Sequence, residues 1–180
     1  MRHKLIAIFS LFTACTLYAE DTELLFYRPF EEESTTIKQT VPGECWQQSH
    51  RLKREDALRC VTKEKTYDPC FLDGAHRVAL CKETPWQVET VVISLSTPLD
   101  TSVNQALDMA EAYPWAIELT TGEKCQAMDE GQVFDGLPIH YQCNNQTLLL
   151  GRVQRCNPKW HILQKNDSQV FTATVAKAWF

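Results

Sequence analysis

The chain has 180 residues, of which 44% are hydrophobic, 23% charged and 10% aromatic, with only six glycines. That balance excludes a collagen-like, low-complexity or disordered chain and suits a folded domain. The formal charge of −5 speaks against a broad electrostatic footprint for nucleic acid.

Residues 1–19 have the order of a secretory signal. Arg2, His3 and Lys4 form a basic start, Leu5 to Phe12 an apolar run, and Leu17-Tyr18-Ala19 a cleavage site before Glu20-Asp21. The run is shorter than the roughly 20 apolar residues a membrane helix needs, and no later stretch approaches that length, so no transmembrane segment is expected. Phe12-Thr13-Ala14-Cys15 is a loose lipoprotein box, which makes a lipid anchor at Cys15 the minor alternative to cleavage after Ala19. Cleavage would remove Arg2 and Lys4 and leave a more acidic chain, repelled by anionic membrane surfaces.

Residues 20–42 read as a partly disordered leader. Glu31-Glu32-Glu33-Ser34-Thr35-Thr36 is polar and acidic, although Leu24-Leu25-Phe26-Tyr27 can dock as a strand. Pro42-Gly43 is a turn signal that opens a single β-rich domain over 43–180. Short strands are expected at Cys45–His50, Leu58–Thr62 and Arg77–Cys81, with turns at Asp68-Pro69 and Asp73-Gly74. From Gln87 to Leu95, alternation rich in β-branched residues marks a strand. Ser102 and Gln105 have the spacing of a capping box, and Val103, Ala106, Leu107 and Ala110 form one apolar stripe. One short helix near residues 102–112, ended by Pro114, is therefore expected. Beyond Trp115 come short strands at Trp115–Leu119, Lys124–Met128, Val133-Phe134, Ile139–Cys143, Leu148–Leu150, Trp160–Leu163 and Gln169–Ala178. The class is mainly β: a small disulfide-stapled barrel or sandwich with one helix.

Eight cysteines are present, and Cys15 lies in the signal. The other seven contain no Cys-x-x-Cys and no closely spaced Cys/His pair, so no metal or cofactor is expected. In an oxidising compartment they form at most three disulfides with one thiol left over. Spacing does not fix the pairing; joining nearest neighbours, Cys45–Cys60, Cys70–Cys81 and Cys125–Cys143, is the simplest arrangement. Each such loop of roughly 10–20 residues would add about 3 kcal/mol. Cys156 is then the odd thiol. Arg155 is adjacent, His161 lies five residues on and His140 further off, which is the minimum a thiol nucleophile requires. A free cysteine is by default a small apolar side chain.

Other catalytic patterns are weak. Gly43-Glu44-Cys45-Trp46 partly resembles the nucleophile segment of papain-like proteases, but Val41 stands where that motif has its upstream cysteine. No His-Glu-x-x-His, phosphate loop, dinucleotide fingerprint or Gly-x-Ser-x-Gly elbow occurs. Of the five tryptophans, Trp86 follows Thr84-Pro85 in a connection and is the expected exposed binding anchor; the others are expected in the core.

Cys45-Trp46-x-x-Ser49, Asp56-Ala57-x-Arg59-Cys60, Tyr67-Asp68-Pro69-Cys70-Phe71, Pro114-Trp115-Ala116-x-Glu118-Leu119 and the ending Val175-Ala176-x-Ala178-Trp179-Phe180 together resemble uncharacterised secreted, disulfide-rich bacterial proteins over residues 43–180. The resemblance implies six recurring cysteines, with Cys156 the unpaired one, and a bacterial source; it implies no chemistry. The function expected is that of a non-enzymatic binding protein, periplasmic or secreted, whose partner is a protein or an envelope or extracellular ligand. A small hydrolase using Cys156 with His161 or His140 is the alternative.

Overall fold

Among the described residues, alternating apolar side chains and turn residues make every regular element a strand. The computed structural model describes residues 21–31, 36–129, 131–167 and 169–180. The expected signal segment, including Cys15, lies outside the described residues. In chain order the strands are β1 (Glu23–Leu25), β2 (Thr36–Gln48), β3 (Ala57–Val61), β4 (Thr66–Leu72), β5 (Val78–Cys81), β6 (Glu89–Leu95), β7 (Ala116–Leu119), β8 (Lys124–Ala127), β9 (Val133–Phe134), β10 (Leu137–Cys143), β11 (Leu148–Gln154), β12 (His161–Lys165) and β13 (Val170–Trp179).

Two small closed barrels result. In the first, β2 to β6 pair in sequence order, and β2 returns beside β6 in parallel to close it. In the second, β7, β8, β10, β11, β12 and β13 run antiparallel around the ring and β13 pairs with β7. β1 adds in parallel to the end of β13, with Leu24 opposite Ala178. The first barrel is thin inside: its core is Leu58, Leu72, Ala79, Val91 and Ile93 packed around four cysteines. The larger core belongs to the second barrel and also takes in Leu52, Ala57 and Phe71 from the first half of the chain, while the first barrel keeps its own separate cluster.

All three disulfides cross-link residues directly opposed on neighbouring antiparallel strands: Cys45–Cys60 on β2 and β3, Cys70–Cys81 on β4 and β5, Cys125–Cys143 on β8 and β10. In the narrow first barrel, two of these links occupy volume that large apolar side chains would otherwise fill. Three disulfides are consistent with an oxidising, extracytoplasmic compartment. Among the described residues no helix is long and apolar enough to cross a membrane.

Four expectations change. No helix forms near 102–112; the segment is turns and irregular chain. The reason is competition for its backbone groups. Gln48 accepts from the Gln105 N–H at 3.2 Å and donates to its carbonyl at 2.6 Å, and Glu55 accepts from the Leu107 N–H at 3.2 Å. These bonds hold the segment against the first barrel in an irregular form. Second, β2 begins before Pro42-Gly43, at Thr36, while β1 at residues 23–25 lies where Leu24–Tyr27 can dock as a strand. Third, Pro42-Gly43 is no turn but lies within β2, paired with Ser94 and Leu95. A Cβ on Gly43 would meet the Val61 carbonyl at 2.5 Å and Ile93 Cγ2 at 2.9 Å, so only glycine permits this approach. Fourth, Asp68-Pro69 lies inside β4, where the ladder passes from Tyr67 to Cys70 and leaves both residues as a bulge opposite Arg59.

Candidate functional site

The exposure of two tryptophans differs from that expected of them. Trp86 is half-buried, its ring edge-on to Trp179 at 5.5 Å and 82°, with Lys124 Nζ 5.7 Å from its centroid. It packs against the main core. Trp46 is 50% exposed.

The local cause is a bulge. Cys45 pairs with Cys60 and Gln47 with Arg59, so Trp46 is the extra residue in the β2–β3 ladder. A bulge re-aims the side chain it carries, and here it turns the indole away from the cysteine core. The Arg59 guanidinium lies 6.0 Å from the Trp46 centroid. Arg59 Nη1 also donates to His50 Nδ1 at 3.0 Å, and the other ring nitrogen of His50 sits 2.8 Å from the Gln47 amide. One face of the indole is thus backed by a fixed polar network.

Beside Trp46 opens a cleft of about 490 Å³. Gln47 and Gln48 line it from β2, and Leu99 and Val103 supply apolar surface. Asn104 and Gln105 close the far side, held there by the paired bonds from Gln48 and by a bond from Asn104 Nδ2 to the Glu55 carbonyl at 2.9 Å. Lys53 and Asp100 bring one charge of each sign. Hydrogen bonds from Ser102, backbone first, hold the Asp100 carboxyl below the usual range, so it is an anion and an acceptor. A second cleft, of about 600 Å³, lies at the end of the first barrel among Pro42, Gly43, Val61 and Leu95.

Ser49, His50 and Asp68 form a cluster that invites a catalytic reading, but its bonds describe a staple. Ser49 is fully buried, donates to Asp68 Oδ1, and accepts from the N–H groups of Arg51 at 3.1 Å and Leu52 at 3.0 Å. The other Asp68 oxygen accepts the His50 backbone N–H at 3.1 Å. The hydroxyl therefore caps the turn after β2, and the His50 ring faces Arg59 and Gln47 instead.

Cys156 is free and exposed in the connection between β11 and β12. The neighbouring Arg155 turns inward, donating to the carbonyls of Met109 at 3.1 Å and Ala112 at 2.6 Å while stacking 4.7 Å from Trp160. His161 sits in β12 opposite Thr174, and His140 stacks on Tyr113 at 4.5 Å. His161 also pairs with Gln154, at the base of the connection that carries the thiol, while His140 lies on β10. The sulfur atoms of Cys60, Cys70 and Cys81 lie within 4.8 Å of one another, but all three are bound in disulfides.

No protein-family model, curated protein or solved structure matches the chain.

Proposed function

We propose that the protein is an exported, non-enzymatic binding protein of the bacterial periplasm, envelope or extracellular space, and that the cleft beside Trp46 is where it engages its partner. The observation that carries this reading is the half-exposed Trp46 on its bulge, backed by Arg59 and bordering a cleft with a rigid polar wall. A large exposed aromatic on a fixed frame supplies contact area at little entropic cost, and such residues dominate binding energy. Disulfide-stapled barrels provide that rigid frame. The resemblance to secreted bacterial proteins supports export, as do the three disulfides.

The test compares wild type, Trp46→Ala and Trp86→Ala as bait against envelope extract and culture medium. Trp46→Ala should lose the captured partner, a cost of about 2 kcal/mol or more for an interface anchor, and keep the wild-type unfolding midpoint. Trp86→Ala should lower the midpoint. Full capture by a folded Trp46→Ala protein would overturn the assignment.

A further inference from the structure

Resting on that reading of the Trp46 cleft, we infer that its ligand is a neutral pyranose oligosaccharide, stacked on the Trp46 indole and hydrogen-bonded by the amides across from it. A pyranose presents a C–H face on one side and a rim of hydroxyl groups around it. Each hydroxyl donates one hydrogen bond and accepts others. The complementary site therefore needs a flat apolar platform and side chains that both donate and accept, and primary amides do both.

This cleft has both parts. Trp46 is the platform, with Leu99 and the exposed Val103 adding apolar surface beside it. Asn104 and Gln105 are the amides at the border, beside Gln47, whose amide nitrogen already meets the His50 ring. Asn104 donates to Glu55 and so keeps its carbonyl oxygen available, while among the described residues Gln105 has no side-chain bond to another group. Gln48 is spent on the Gln105 backbone and holds the wall in place. The site is organised before a ligand arrives, which lowers the ordering cost of binding.

Charge sets the ligand's charge. Lys53 and Asp100 cancel within the lining, and the Lys53 ammonium already donates to the Ser49 carbonyl at 3.2 Å. A phosphorylated or nucleic-acid ligand would need several uncompensated cations. An acyl chain would leave the amides desolvated and unpaired, which costs free energy with no return. The less polar cleft around Pro42 and Val61 suits such a ligand better. A volume of about 490 Å³ falls within the range of sites that hold small ligands.

The experiment titrates ¹⁵N-labelled protein, without residues 1–19, with maltotetraose, cellotetraose and the tetramer of N-acetylglucosamine. Trp46 is assigned by the indole N–H signal missing in Trp46→Phe. At least one of the three sugars should shift that signal saturably, together with the backbone amides of Asn104 and Gln105. Trp46→Ala should weaken the interaction at least about tenfold, as loss of an anchor side chain does, while Trp46→Phe keeps a platform and stays within roughly threefold. If no sugar moves these signals and Trp46→Ala still abolishes partner capture, the saccharide inference is overturned and the binding site stands. If no sugar moves them and Trp46→Ala captures normally, both fall. Shifts confined to Trp86 and Trp179 would overturn the location.

Discussion

Arg54 and Asp56 meet through two parallel hydrogen bonds, Nε to Oδ1 at 2.5 Å and Nη2 to Oδ2 at 2.8 Å, and that fork aims the rest of the Arg54 guanidinium into the junction of the two barrels. Its remaining nitrogen, Nη1, donates to the carbonyls of Tyr27 at 2.8 Å and Phe180 at 3.0 Å, and the group lies 4.7 Å from the Phe71 centroid. One side chain on the β2–β3 connection thus ties together the segment after β1, the residue after β13 and the larger core.

Arg54→Ala should therefore be among the costlier single changes. It takes the donor from the buried Tyr27 carbonyl, leaves the Phe180 carbonyl with the Tyr27 N–H alone, and strips an aromatic face of its cation, a loss of roughly 2–4 kcal/mol. Asp56→Ala should cost about 1 kcal/mol, because its carboxylate is 37% exposed and screened by solvent. Urea unfolding gives both numbers. Equal losses would mean that the carbonyl contacts contribute nothing beyond the ion pair.

The absent helix yields a reversed ranking of substitutions. Gln48→Ala removes both hydrogen bonds to the Gln105 backbone and should cost about 1–2 kcal/mol. Ser102→Ala should cost less than about 0.5 kcal/mol, because the side chain caps no helix and is exposed. A larger loss for Ser102→Ala than for Gln48→Ala would restore the helical reading of 102–112. Thermal midpoints of the two variants decide it.

That segment also shows what the sequence could not reveal. The stripe of Val103, Ala106, Leu107 and Ala110 is real, but the groups that override it, on Gln48 and Glu55, lie about fifty residues earlier, and nothing local announces them. The mainly-β class was legible because β6 and the later strands alternate over short, turn-bounded runs. The start of β2 was not: Thr36 to Thr40 are all exposed and carry no apolar period. Trp46 was hidden for a related reason. Its exposure follows from a bulge at Cys45–Gln47, a property of the pairing with β3, while the spacing around Trp86 imitates a loop. The Trp46 cleft assembles residues from 46 to 105, so only the closed barrel brings its two sides together.

Alkaline stability should report on Tyr141. Complete burial pushes its hydroxyl far above the ordinary tyrosine value, and it donates to the Pro114 carbonyl at 2.8 Å. Below pH ~10 the hydroxyl keeps its proton in both folded and unfolded chains, and the contribution is whole. Above that, the unfolded chain releases the proton and the folded chain does not, so stability falls by about 1.4 kcal/mol per pH unit from this group. Tyr141→Phe should start about 1 kcal/mol lower at pH 8 for want of the hydrogen bond, then decline less steeply from pH 10 to 11. Parallel declines in urea midpoint for the two proteins would show that the alkaline loss comes from other groups.

The thiol is the last discriminator between a binder and an enzyme. Cys156 is the one free cysteine among the described residues, and it is exposed. Activation of a thiol at neutral pH needs a cation or a base directed at its sulfur. Arg155, the nearest cation in sequence, is turned the other way, its Nη1 and Nη2 spent on the carbonyls of Met109 and Ala112. Alkylation of the non-reduced protein, without residues 1–19, should therefore label one cysteine, Cys156, while Cys45, Cys70 and Cys125 stay protected in their cross-strand links. Cys156→Ser should leave the unfolding midpoint within about 0.5 kcal/mol of wild type, as expected at an exposed site, and leave partner capture unchanged. His140→Ala and His161→Ala should preserve capture as well, provided their midpoints show a folded protein. A disulfide-linked dimer on a non-reducing gel, absent in Cys156→Ser, would assign the thiol to assembly. Loss of activity in Cys156→Ser at unchanged stability would remove the binding reading and put a thiol enzyme in its place.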